Sequence, residues 1–176
     1  MQVNLVGDQG KLMPPVDSSV ERLLIWRCKY RSLEPVRNLR KLRQLVICPL
    51  PDDTLAFLTS LKELRQLAIQ HLPKVRDLSP LAQIRRLESL RLSTLPSWDA
   101  SGRVVEVRSL TPIAELPRLK CLTLFGIVPK TRSLKALEQC ESLLAARFLK
   151  YRKAEVKRFY EATGVSSELP DERDAA

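Results

Sequence analysis

A six-residue pattern, apolar-x-x-apolar-x-apolar, returns six times along this chain. Its copies begin at Val20, Leu42, Leu64, Leu87, Leu119 and Leu143, at intervals of 22, 22, 23, 32 and 24 residues. The last two apolar residues of each copy alternate as they do in a strand with one buried face. A unit this short cannot bury its apolar face alone, so neighbouring units must stack into a solenoid. The pattern predicts parallel strands that begin near residues 22, 44, 66, 89 and 121.

A second pattern, with apolar residues at i, i+3 and i+6, follows each of the first five copies. It begins at Leu33, Leu55, Leu78, Leu110 and Leu134. This spacing is typical of a short helical or 3₁₀ turn that lays one stripe on the core. Proline at the third place, as in Pro35, Pro80 and Pro112, suits the first turn of such a helix, where no N–H donor is needed. Each unit is predicted to be strand, turn, short helix and return.

The blocks Asp77-Leu78-Ser79-Pro80-Leu81 and Leu110-Thr111-Pro112-Ile113 resemble bacterial leucine-rich repeats of internalin type. The resemblance covers about Val20 to Phe148. It implies an α/β right-handed solenoid with a parallel sheet on the concave face, short helices on the convex face, a bacterial source and recognition of a protein partner.

The turns after the strands depart from that family, which places Asn three residues after the last strand apolar. Here the position holds Cys28, Leu50, Leu72, Leu95 and Ile127, and Pro follows at 51, 73 and 96. We expect apolar packing and the fixed φ of proline to hold these turns.

Length and composition favour one domain. A chain of 176 residues with 44% hydrophobic content can bury one sizeable core. We expect a domain over 1–164 with an N-terminal cap at 1–19, in which Gln2 to Met13 forms a hairpin or an edge strand. A cap helix is expected within 150–164, and the polar, acidic segment 165–176 is predicted to be disordered. No apolar run approaches the ~20 residues that span a bilayer, and no secretory signal is visible, so no membrane partner is expected.

The four cysteines are predicted to be reduced. Cys48 and Cys121 fall three strands apart, ~14 Å at ~4.8 Å per strand, which is beyond disulfide reach. This favours a cytoplasmic location.

Catalysis finds little support in the residues. The chain has one His, scattered glycines and no metal-ligand spacing. We expect no enzyme activity, cofactor or metal, although a site assembled from distant residues stays open.

Outward side chains of the strands predict a binding surface on the concave face. One column reads Leu24, Val46, Ala68, Arg91, Thr123 and Arg147, the next Trp26, Cys48, Gln70, Ser93, Phe125 and Leu149, and the third Arg27, Pro49, His71, Thr94, Gly126 and Lys150. Aromatic and arginine side chains are frequent interface anchors. The partner-binding candidates are Trp26, Gln70, His71, Arg91, Trp98, Phe125 and Arg147. The alternatives are that a cap covers Trp26 and that His71 is a surface or turn-capping imidazole.

Cations gather where each return segment meets its strand. The net charge is +10, and the last eleven residues carry four acids against one arginine, so residues 1–165 carry +13. The basic rim consists of Arg40, Lys41, Arg43, Lys62, Arg65, Arg85, Arg86, Arg118 and Lys120. Such a stripe could attract an acidic protein or a phosphate backbone, or it could simply be a solvated edge.

The fourth interval holds an insertion of nine residues, within 96–109. Pro96 to Arg103 is predicted to be a loop, and Val104 to Val107 an extra strand. Trp98 either contacts a partner or fills a gap in a loop folded back on the solenoid.

These observations favour a non-enzymatic module that binds a protein through its concave face, with an immunity or adaptor role as candidates. The alternative is a nucleic-acid-associated protein that uses the basic rim.

Overall fold

The computed structural model describes residues 1–169, which are built around a parallel sheet of seven strands. The strands are β1 Gln2–Val6, β2 Arg22–Trp26, β3 Gln44–Cys48, β4 Gln66–Gln70, β5 Ser89–Ser93, β7 Cys121–Phe125 and β9 Ala145–Leu149. They lie side by side in chain order, and each pair is parallel. The five predicted strand starts are therefore confirmed.

Short helices return the chain between strands. They are the 3₁₀ helices Glu34–Asn38, Ala56–Ser60, Ser79–Gln83 and Lys135–Gln139, the short α-helices α1 Pro96–Ala100 and α2 Thr111–Ala114, and the longer α3 Lys153–Thr163. The predicted stripe of the first return, Leu33, Val36 and Leu39, is at most 3% exposed. These elements bury that stripe against the core side of the sheet.

The core is a set of aligned apolar rows. Leu23, Leu45, Leu67, Leu90 and Leu122 are register partners from strand to strand, and none is more than 2% exposed. Because side chains alternate along a strand, this burial fixes the intervening residues on the opposite face.

The turns after the strands are joined by backbone hydrogen bonds instead of an Asn ladder. Arg27 N donates to Cys48 O (2.6 Å), His71 N to Ser93 O (2.7 Å) and Thr94 N to Phe125 O (2.9 Å). Left-handed backbone recurs at this position, in Arg27, His71, Gly126 and Lys150.

Apolar packing completes the turns, as predicted. Leu50, Leu72 and Ile127, which stand where the family has Asn, are at most 2% exposed. Gly126 is required on steric grounds, because a Cβ there would lie 2.5 Å from Thr94 Oγ1.

The insertion folds into a helix and a strand. β6 Val105–Val107 pairs in parallel with β8 Ile127–Pro129 as a second, two-stranded sheet, so the predicted extra strand is confirmed. The prediction of a loop over Pro96 to Arg103 is wrong at its start, where α1 forms. Its turn is closed by Trp98 N donating to Leu95 O at 2.9 Å, and proline tolerates the first helical position.

Both ends of the sheet carry additional elements. β1 is a parallel edge strand rather than a hairpin, with Val3 and Leu5 aligned with Leu23 and Ile25 of β2. At the other end, Phe159 of α3 is fully buried and meets Phe148 edge to face, with ring centroids 5.1 Å apart. None of the helices within residues 1–169 has the length and apolar character needed to cross a bilayer.

The chain after α3 enters the segment predicted to be disordered. Ser166 forms a parallel bridge with Ala145 of β9. Residues 170–176, to which most of that prediction refers, lie outside the described part of the chain.

Candidate partner-binding face

The concave face is defined here as the outward side chains of the seven-stranded sheet. Val46 and Ala68 are register partners, as are Ala68 and Arg91, Arg91 and Thr123, and Thr123 and Arg147. The predicted columns of the face are therefore those that the sheet presents. The small side chains of Ala68 and Thr123 lie between longer ones, and Thr123 is only 4% exposed.

Two adjoining recesses, of about 330 and 400 Å³, lie over this face. The first is lined by residues of β3, β4, β5 and β7, among them Val46, Ala68 and Thr123. The second is lined by all five candidates predicted on the face, namely Trp26, Gln70, Arg91, Phe125 and Arg147.

One arginine of the face is already placed against an aromatic ring. The guanidinium carbon of Arg147 lies 5.9 Å from the ring centroid of Phe125, within cation–π range. Phe125 is half-buried while Arg147 is exposed. Their pairing presents an apolar surface and a positive charge at one point.

His71 and Trp98 lie elsewhere. His71 follows β4 in a left-handed turn (φ 66°), and its ring meets that of Trp98 edge to face with centroids 5.0 Å apart. His71 Nδ1 is buried and has no hydrogen-bond partner among residues 1–169. Burial lowers the pKa of this imidazole below 6.5. Neither residue lines the two recesses, and the half-buried Trp98 packs against the core.

Acidic residues divide the predicted basic rim. The position just before the strands reads Glu21, Arg43, Arg65, Glu88 and Lys120 from β2 to β7. Arg43 pairs with Glu21 at 3.8 Å, and Glu88 receives both Arg65 at 3.2 Å and Lys120 at 3.3 Å. The sequence pattern contained this signal, because the glutamates occupy the same repeat position as the cations.

Other rim cations differ in their surroundings. Arg86 forms an ion pair with Glu63, and Lys62 Nζ donates to Gln83 O at 3.4 Å. Arg40, Lys41, Arg85 and Arg118 are exposed and form no ion pair with an acid within residues 1–169. The rim is thus a mixed ladder flanked by a few exposed cations.

Burial lowers the reactivity of three of the four cysteine thiols. All four are free, and burial raises the pKa of Cys48, Cys121 and Cys140. A raised pKa leaves little thiolate at neutral pH, so these side chains are poor nucleophiles. In the part of the chain that the structure describes, no three His, Cys, Asp or Glu side chains are grouped to hold a metal ion.

Solved structures share this arrangement of strands and returns. Internalin C2 of Listeria monocytogenes superposes with a TM-score of 0.58 at 22% identity, covering 74% of this chain and 52% of its own. The fold is a leucine-rich-repeat solenoid. A second Listeria monocytogenes internalin, InlF, matches this solenoid with a TM-score of 0.53 at 21% identity, covering 82% of this chain and 47% of its own. The solenoid spans about half the length of these two proteins. No protein-family model and no curated protein matches the sequence.

The solenoid also carries a contact that the sequence did not predict. After Ser166, the chain turns over the concave face, and Leu169 lines both recesses. Ser167 and Glu168 line a third recess together with Phe125 and Arg147. Acidic, polar composition at this point indicated disorder, and one leucine in such a segment gave no signal for its position.

Proposed function

We propose that this protein is a non-enzymatic protein-binding module that engages its partner through the concave face. The observation that supports it best is the shared recess of Trp26, Phe125 and Arg147, together with Gln70 and Arg91. Aromatic and arginine anchors around a recess are typical of interface hot spots. A leucine-rich-repeat sheet gives such anchors a rigid support, because core packing holds every strand.

The partner is proposed to be an acidic protein. The chain carries a net charge of +10, and Arg91 and Arg147 add positive charge within the face itself. Complementary charge speeds encounter and fixes orientation. An immunity or adaptor role would use such a surface, and four free cysteines agree with the reducing cytoplasm as its location.

A nucleic-acid role through the basic rim is the second candidate. Its support is the group of exposed cations Arg40, Lys41, Arg85 and Arg118. Glu21, Glu63 and Glu88 weigh against it, because they neutralise neighbouring rim cations and repel phosphate.

Site-specific photocrosslinking tests the protein-binding proposal. A photoreactive amino acid is placed at the half-buried Val46 on the concave face or, as the matched control, at the half-buried Ala82 in the 3₁₀ helix Ser79–Gln83 on the other side of the core. Cells expressing each full-length variant are irradiated, and the adducts are identified with and without nuclease treatment. We expect one nuclease-resistant protein adduct from position 46 that is absent from position 82. Adducts that vanish with nuclease, or that form equally at both positions, would reject the proposal.

A further inference from the structure

A short segment of the chain lies on the face that the proposed function assigns to a partner. α3 ends at Thr163, and Gly164, with φ 68°, reverses the chain. Ser166 then joins the outer edge of β9, where Ser166 N donates to Leu144 O and Ala146 N donates to Ser166 O, both at 2.9 Å. We call residues 166–169 the crossing segment.

The crossing segment runs over the sheet from its last strand towards its middle. Leu169 is the third residue after Ser166, and three residue steps allow a span of ~10 Å in extended chain. That length matches ~10 Å for the two strand spacings between β9 and β5. Leu169 accordingly lines the recess shared by Ala68, Arg91 and Thr123.

The recess suits a branched apolar side chain next to negative charge. Val46 and Ala68 supply apolar wall, and Arg91 and Arg147 lie beside it. The crossing segment has this chemistry, because Glu168 directly precedes Leu169 and shares a recess with Arg147 and Phe125. Half-burial of Leu169 shows that the face accepts such a residue.

We propose that the crossing segment is an internal copy of the ligand, and that the concave face recognises an extended, acidic peptide segment of the partner with a leucine-like side chain seated above Ala68 and Thr123. This inference rests on the proposed function. The partner's segment replaces Leu169 and continues over Leu24, Val46 and Trp26 of the same face.

Competition within the chain follows from the tether. Because the crossing segment is tethered to the face, it competes for the recess at an effective concentration in the millimolar range. Ligands that bind weakly are therefore excluded. Within residues 1–169, the contacts that hold the crossing segment on the face are the bridge at Ser166 and the half-buried Leu169. Segments with so few buried contacts open at low free-energy cost. A partner that adds contacts near β2 and β3 therefore displaces it.

A peptide with the sequence of residues 165–172, Val-Ser-Ser-Glu-Leu-Pro-Asp-Glu, serves as the probe. Its fluorescent form is titrated with the full chain, with the Leu169→Asp variant and with Leu12→Asp, a matched control whose leucine is 82% exposed. We expect the Leu169→Asp protein to bind the peptide at least ~10-fold more tightly than wild type, because the tethered competitor is removed. The Leu12→Asp protein should bind as wild type does.

A second peptide, with Asp in place of its leucine, should bind the Leu169→Asp protein at least ~10-fold more weakly than the first peptide, since it lacks the group that fills the recess. Equal affinity of the first peptide for wild type and Leu169→Asp, or equal affinity of the two peptides, would overturn the inference. Thermal unfolding of each variant is measured to check that the fold is retained. A partner that crosslinks at position 46 while the peptide fails to bind would overturn this inference and leave the proposed function standing.

Discussion

The imidazole of His71 meets the indole of Trp98 edge to face, with ring centroids 5.0 Å apart and ring planes at 83°. One residue follows β4 and the other belongs to helix α1 of the insertion, so the contact fastens the insertion to the third repeat. The guanidinium carbon of Arg103 also contacts this indole, at 5.9 Å from the centroid of the Trp98 ring. A tryptophan held in this way stabilises the fold, and its partner-binding role stays a prediction.

His71 should make stability depend on pH. Its pKa is lowered in the folded state by burial, so the folded protein favours the neutral ring and the unfolded chain binds the proton. The stabilisation is complete above the unfolded pKa of about 6.5 and is lost as the pH falls towards the folded value. Replacing His71 by Asn, which tolerates left-handed backbone, should flatten the unfolding free energy between about pH 7 and 5. The chain has one histidine, so parallel curves for the two proteins in urea titrations would contradict this assignment.

Glu155 should protect the fold against acid. Its carboxylate accepts hydrogen bonds from Leu134 N at 2.6 Å and Arg158 Nη2 at 2.8 Å, and the Arg158 guanidinium is the main cause that lowers its pKa to about 2. This stabilisation is present above the unfolded pKa and disappears as the pH falls from about 4.5 to about 2. Glu155→Gln should cost about 1–3 kcal/mol at pH 7, and less at pH 2. The control is the more exposed Glu161→Gln, and equal losses for the two variants in denaturant titrations would refute the prediction.

The inward rows should dominate stability. Leu67 and Leu90 are 2% and 1% exposed, and truncating either to Ala should lower the unfolding free energy by about 2–5 kcal/mol through lost burial and a residual cavity. The control Leu144→Ala, at 64% exposure, should change it by no more than about 0.5 kcal/mol. Chemical denaturation measures all three, and an unchanged midpoint for Leu67→Ala would show that its assigned direction is wrong.

The rim should act on association more than on folding. Changing Arg40, Arg43, Arg65 and Arg85 together to Gln should slow association with the crosslinked partner, most at low salt, because exposed charges steer encounter. The thermal midpoint should stay nearly constant, since exposed ion pairs contribute about 0–1 kcal/mol each. The matched control changes the same number of cations away from the rim, at Lys29, Lys74, Lys130 and Lys157. Stopped-flow rates that fall equally in both variants would remove any specific role for the rim.

Substitutions on the concave face and in the Trp98 helix should have different effects on partner affinity. Replacing Arg91 and Phe125 together by Ala should weaken partner binding by about 2 kcal/mol or more, as expected for central anchors. Trp98→Ala should leave affinity unchanged while lowering the thermal midpoint, because Trp98 packs on His71. Calorimetry on the crosslinked partner gives the affinities. Affinity lost in Trp98→Ala and kept in the double variant would move the binding site to the insertion.

The sequence predicted the elements that recur in every repeat, but few of the elements that occur only once. The strand starts at Arg22, Gln44 and Gln66 follow from apolar spacing, which burial enforces in every repeat. β1 was harder to assign, because Val3 and Leu5 are two apolar residues without a complete repeat around them. Helix α1 was missed because a single short turn beginning at Pro96 has the composition of a loop.

The sequence predicted which side chains line the concave face. It did not predict the ion pairs of the rim or the position of Leu169 on that face. Alternation along the strands fixes which face carries Arg91 and Phe125, so their shared recess follows from register. The division of the rim by Glu21 and Glu88 depends on side-chain pairing across neighbouring strands, which the cations alone do not reveal. The position of Leu169 depends on the chain reversal at Gly164, which has no repeat to set its direction.

The hydrogen bonds between successive turns also determine where this chain can change length. Thr94 N reaches Phe125 O across an interval nine residues longer than its neighbours, and the bond has the same form as that from His71 N to Ser93 O. The extra residues begin after this bond, at Pro96. The stretch between each turn and the following short helix is therefore the permissive graft point of the molecule. A foreign segment placed there would leave the registry of the main sheet intact, whereas one placed between a strand and its turn would break it.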